Sequence, residues 1–134
     1  MTGRRNDPQG LRRRILDAAF DRFVARGYAA TPLQDLRAES GATGGAFAHH
    51  FPTKKALALA VIEDRVAEAV ARAWIEPVER APTAREGVAL AFERIAAGLE
   101  AQGEVRGCPL NTLALEVAGQ DAELSAAAAA LFAR

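Results

Sequence analysis

Apolar residues recur along this chain at three- and four-residue intervals, and the runs they form are closed by glycine or proline. The first run spans about Gln9 to Arg26 and puts Ile15, Leu16, Ala19, Phe20, Phe23 and Val24 on one face. That spacing predicts an amphipathic helix, with Gly27 as its C-terminal cap. Thr31-Pro32 reads as the next start: threonine supplies a cap oxygen, and proline takes the first helical position, where its missing N–H costs nothing. Leu33 and Leu36 face inward from this short helix, which stops at Ser40-Gly41. Thr43 caps a third short helix carrying Ala46, Phe47 and His50, ended by Phe51-Pro52.

Longer runs follow. Thr53 opens a helix through Leu57, Leu59, Val61, Ile62, Val66, Val70 and Trp74, which Pro77 is expected to end. After Pro82-Thr83 a fifth helix carries Val88, Ala89, Phe92, Ile95, Ala96 and Leu99, closed by Gly103. Gly107-Cys108-Pro109-Leu110 opens a sixth with Leu113, Leu115 and Val117, and Gly119 breaks it. A seventh starts near Ala122 and runs to the last residue, Arg134. No run alternates with period two, so the expected fold class is all-α.

Charge divides the chain in the same place as helix length. Residues 1–55 hold ten Lys and Arg against five Asp and Glu; residues 56–134 hold seven against twelve. A basic first part on an acidic remainder is the layout of a nucleic-acid-binding head, although solvated helix faces can scatter charge in this way. A short capped helix, a glycine turn and a second short helix over Thr31–Phe51 fit a helix-turn-helix, braced by the first helix into a three-helix bundle. The third helix then lies in the major groove of DNA.

Other chemistry is thin. Half the residues are apolar, enough for a core, but no uncharged run approaches the ~18 residues of a membrane span. The N-terminus has no apolar segment of the secretory kind. The single cysteine, Cys108, excludes an internal disulfide and fits a cytoplasmic setting. His49-His50 is no metal pair, since adjacent helical residues point to different faces. With no nucleophile–base pair, phosphate loop or metal cluster, neither an enzyme nor a cofactor is expected.

The stretches Arg14-Ile15-Leu16-Asp17-Ala18-Ala19-Phe20, Phe23-Val24-Ala25-Arg26-Gly27-Tyr28, Ala30-Thr31-Pro32-Leu33-Gln34-Asp35-Leu36, Ser40-Gly41-Ala42-Thr43-Gly44-Gly45-Ala46-Phe47 and His49-His50-Phe51-Pro52-Thr53-Lys54-Lys55-Ala56-Leu57 resemble the opening of TetR/AcrR-family transcriptional regulators. Arg106-Gly107-Cys108-Pro109-Leu110-Asn111, with Glu116 beyond it, is similar to a segment in the ligand-sensing bodies of one subgroup. The resemblance implies a DNA-binding domain over 1–55 and a helical ligand-sensing and dimerisation domain over 56–134 that is C-terminally short. It implies double-stranded DNA and an unknown small-molecule effector as partners. It also implies a homodimer, if further C-terminal helices are present. The function expected is a ligand-responsive repressor. The alternative is a truncated interaction protein that pairs with a full-length relative.

Carried over by position, Thr31, His49 and Lys54 contact phosphates, Thr43 caps the recognition helix and reaches the DNA backbone, and Gly44, Gly45 and Ala46 face base edges. Three positions depart from the pattern. Ala48 stands where a phosphate-touching tyrosine is usual. Gly44-Gly45 offers no side chain for readout. Arg37 replaces a small residue at the helix crossing and is expected to snorkel past it with its charge in solvent. In the body, Trp74, Phe92, Cys108 and Leu110 are the candidate ligand contacts. Trp74, Phe92, Ile95 and Leu99 fit core as well as pocket lining, and Cys108 fits a small buried hydrophobe as well as a sensing thiol. Arg12-Arg13-Arg14 fits a solvated face or a phosphate contact. Arg4 and Arg5 fit a disordered tail or a minor-groove arm.

Overall fold

The computed structural model describes residues 7–134, so Arg4 and Arg5 lie outside the described residues. Helix α1 is Pro8–Arg26, α2 Leu33–Ser40 and α3 Gly44–His50. Helix α4 is one continuous rod over 54–80, α5 is Ala84–Gln102, α6 Pro109–Val117 and α7 Ala122–Phe132. Among the described residues there is no strand, and no helix is long and apolar enough to cross a membrane.

Local chemistry sets most helix ends. The side chains of Asp7, Thr43, Thr53, Thr83 and Asp121 each accept a backbone N–H in the first turn of the helix they precede. Each such cap satisfies a donor that the helix itself leaves open. Gly41 closes α2 in the left-handed region, at φ 67°, where a β-carbon is strained.

One core runs from the N-terminal bundle into the later helices. Ile15, Ala19 and Phe23 of α1, Leu36 of α2, Phe47 of α3 and Leu57, Val61 and Val66 of α4 are all fully buried. Leu110, Leu113 and Val117 of α6 and Leu124, Ala128 and Leu131 of α7 join the same cluster. At roughly 25 cal/mol per Å² of apolar surface removed from water, this cluster is the main force holding α3 in place.

Four expectations are corrected. Thr31 does not cap α2: its hydroxyl donates to the Gly27 carbonyl at 2.7 Å, which closes the loop before the helix. Pro32 is therefore the N-cap residue, and α2 begins at Leu33 without a side-chain cap.

Pro77 does not end α4, which continues to Arg80. A proline inside a helix clashes with the carbonyl four residues back. Here Ala71–Ile75, just upstream, is wound as a π-helix, whose wider turn accommodates the ring. A second π-helical stretch, Val61–Val66, lies earlier in the rod.

The apolar face of α5 is not buried. The helix buries Gly87 and Ala91 instead, while Val88 and Phe92 stand exposed. Its close approach to α4 is made through Gly87, where a β-carbon would fall 2.5 Å from the Val78 Cα. On α6, Leu115 is likewise exposed.

Cys108 is exposed at the start of α6, so its reading as a small buried hydrophobe is wrong.

Candidate nucleic-acid interface

Helices α2 and α3 and the turn between them form a compact unit held from behind by α1. Leu36 and Phe47, both fully buried, join the core cluster that Ile15, Ala19 and Phe23 of α1 also belong to. In the turn, the Ser40 hydroxyl donates to the Arg37 carbonyl at 2.9 Å and accepts the Ala42 N–H at 3.3 Å. Thr43 Oγ1 accepts the Ala46 N–H at 3.2 Å and so fixes the start of α3.

With Phe47 turned inward, α3 presents Thr43, Gly44, Gly45 and His49 outward, with Ala46 partly exposed. A β-carbon at Gly44 or Gly45 would meet nothing within 4 Å. Packing therefore does not demand glycine there, and the front of α3 is bare backbone facing open space. Ala48 and His50 are half-buried, and the two histidine rings lie edge to face, 5.5 Å apart.

One expected phosphate contact is placed elsewhere, and a second has a partner within the chain. Thr31 is only 1 % exposed and its hydroxyl is spent on Gly27, so it has no surface to offer a phosphate. Lys54 is half-buried with its ammonium 4.4 Å from the centre of the Tyr28 ring, a cation–π contact. Burial pushes the Lys54 amine below its ordinary pKa, and the nearby Glu116 carboxylate opposes that shift. Lys54 thus stands in one cluster with Tyr28 and Glu116.

Arg37 is half-buried at the helix crossing. Its guanidinium carbon lies 5.5 Å from the Phe47 ring centre, and its Nε is buried without a hydrogen-bond partner.

The basic first third is partly neutralised by the acidic remainder. Arg12 pairs with Asp64 at 3.2 Å, and Lys55 reaches Asp121 at 3.1 Å and Glu123 at 3.0 Å. Asp17 pairs with Arg65. Arg13 and Arg14 remain exposed.

Residues 15–61 match the sequence profile described as bacterial regulatory proteins, tetR family. Over these residues the chain is similar to the TetR family.

Two TetR-family relatives from Bacillus subtilis (strain 168) are similar in sequence. The HTH-type transcriptional regulator LmrA is 28% identical over 106 residues, covering 78% of this chain and 56% of LmrA. The HTH-type transcriptional regulator YerO is 40% identical over 50 residues, 37% of this chain and 17% of that protein. The fold is shared with the crystal structure of E. coli NemR in its reduced form, at TM-score 0.79 and 20% identity over 91% of this chain and 63% of NemR. The chain thus spans about half the length of LmrA. The match covers α1 from residue 15, all of α2 and α3 and the first turns of α4, and so includes the outward face of α3.

Behind this unit, α4, α5 and the start of α6 enclose an apolar cleft of about 210 Å³ lined in part by Trp74, Ile95, Leu99 and Cys108. A neighbouring cleft of about 280 Å³ shares Trp74 and Cys108 and adds Leu110. Phe92 lines neither: it sits outside, edge-on to Trp74 with ring centres 5.3 Å apart.

Sequence spacing missed Glu116 as a contact. Its carboxylate accepts the Tyr28 and Ala29 N–H groups at 2.8 and 2.7 Å. Across 88 positions no periodicity links the two segments; the family resemblance around Arg106–Asn111 was the one signal near it.

Proposed function

We propose that this chain is a DNA-binding transcriptional repressor that answers to a small molecule. Residues 1–55 act as the DNA-reading unit and residues 56–134 as the sensing and pairing unit, in the cytoplasm. The observation that carries the reading is the outward face of α3: capped by Thr43, pinned by Phe47, and stripped of side chains at Gly44 and Gly45. Such a helix can lie deep in the major groove, with Thr43 and His49 against phosphates and the Gly44–Ala46 backbone against base edges. Two copies paired through the later helices place two such helices about 34 Å apart, one turn of duplex. The effector fits the cleft bordered by Trp74, Cys108 and Leu110.

A mobility-shift titration with duplexes from the region upstream of its own gene tests this reading. Retardation that weakens steeply with added salt is expected, because phosphate contacts release counterions. Unaltered mobility of every duplex at low salt overturns it.

A further inference from the structure

One carboxylate from α6 holds the turn that leads into the helix-turn-helix. Glu116 Oε2 accepts the Tyr28 N–H at 2.8 Å, and its Oε1 accepts the Ala29 N–H at 2.7 Å. These amides come just after α1 has ended at Arg26. Gly27 turns the chain with φ 94°, and a β-carbon there would meet Glu116 Oε2 at 3.0 Å. The turn is shaped for the approach of this carboxylate. The Lys54 ammonium over the Tyr28 ring adds a cation to the cluster.

The other end of α6 meets the apolar cleft, where Cys108 and Pro109 form part of the lining. From Cys108 to Glu116 the helix spans about 12 Å, at ~1.5 Å per residue. Apolar contacts between α1 and α6 are non-directional and allow the helices to slide. A carboxylate gripping two adjacent N–H groups fixes both distance and direction.

We propose that Glu116 is a positioning residue that sets the orientation of the helix-turn-helix on the body through its grip on the Tyr28-Ala29 turn. The consequence for DNA rests on the function proposed above; the positioning itself does not.

The test uses Trp74, the sole tryptophan, as an energy-transfer donor. An acceptor dye is placed on Ala38→Cys, an exposed position of α2, in a Cys108→Ser background. Glu116→Ala is expected to change the transfer efficiency and broaden its distribution, and Glu116→Gln, which keeps one acceptor oxygen, to fall between. In parallel, duplex affinity is expected to drop roughly tenfold for Glu116→Ala, within the usual range of coupling between sites. Unchanged transfer in Glu116→Ala overturns the proposal. Changed transfer with duplex affinity equal to that of the parent supports the positioning role and overturns its consequence for DNA. If the parent itself retards no duplex, the DNA-binding reading fails and the positioning role stands or falls on energy transfer. Should the alanine variant not fold, the glutamine variant carries the same comparison.

Discussion

Replacing Gly44 and Gly45 together by alanine separates stability from function, because the two effects run in opposite directions. Both residues lie in the first turn of α3, and neither has a positive φ or a neighbour within 4 Å of an added β-carbon. Each exchange removes backbone freedom from the unfolded chain and raises helix propensity by roughly 0.5–1 kcal/mol. The pair should therefore stabilise the fold by about 1–2 kcal/mol. For a chain of this size that is roughly 3–4 °C in Tm per kcal/mol. If bare backbone is what meets the bases, each methyl intrudes where the groove edge must sit, and affinity should fall at least about tenfold, or ~1.4 kcal/mol. Thermal unfolding by circular dichroism and a duplex titration on the same preparation give both numbers. A variant that melts higher and binds DNA as tightly as the parent refutes the claim that this face approaches the groove closely.

Other outcomes follow from the same geometry. Thr43→Ala removes the acceptor of the Ala46 N–H and should cost about 1 kcal/mol in urea unfolding, with Thr43→Ser close to the parent; equal midpoints for all three would show that the cap contributes nothing. Phe47→Ala empties a fully buried site and should cost roughly 3–5 kcal/mol, detectable as a loss of the cooperative transition or a large fall in its midpoint. Gly87→Ala drives a β-carbon to 2.5 Å from the Val78 Cα; both sides are backbone, so α5 must move away, at about 1–3 kcal/mol. A neutral result there would mean that α4 and α5 pack less closely. Asp121 is held below the usual carboxylate range by the Leu124 N–H first and the Lys55 ammonium second. Its contribution is present above that range and fades as pH falls through the lowered pKa. Asp121→Asn should therefore flatten the acid limb of a stability profile below about pH 4, and parallel limbs would exclude this role.

Helix boundaries were legible wherever one residue and its near neighbours decide them. Thr43, Thr53 and Thr83 satisfy N–H groups three residues ahead, and Gly41 and Gly103 take the left-handed region. Reading failed where one group had two uses. The Thr31 hydroxyl could accept an N–H of α2 or donate back into the loop; it donates to the Gly27 carbonyl, and Pro32 takes the N-cap position. Pro77 reads as a stop until the π-helical winding of Ala71–Ile75 makes room for it. Periodicity put Val88 and Phe92 on one face correctly. What covers a face is set by other segments, and in α5 the packed contact is made through Gly87 and Ala91.

The positions that break local rules gather around the helix-turn-helix, and that clustering is itself informative. Two glycines open a seven-residue helix that has little propensity to spare. Arg37 lays a charged group on Phe47 with a buried, unpartnered Nε. A carboxylate from α6 occupies the two amides of the preceding turn. Each lowers the independent stability of α2 and α3 or makes it depend on a distant residue. A unit selected only to fold would carry better helix formers and an apolar crossing; departures from that standard are expected where function competes with it. The tertiary core compensates: Leu36 and Phe47 are fully buried in the cluster shared with α1, so α3 is held by packing rather than by its own sequence. That leaves its outer face free to be poor in side chains, and leaves its orientation open to control from α6.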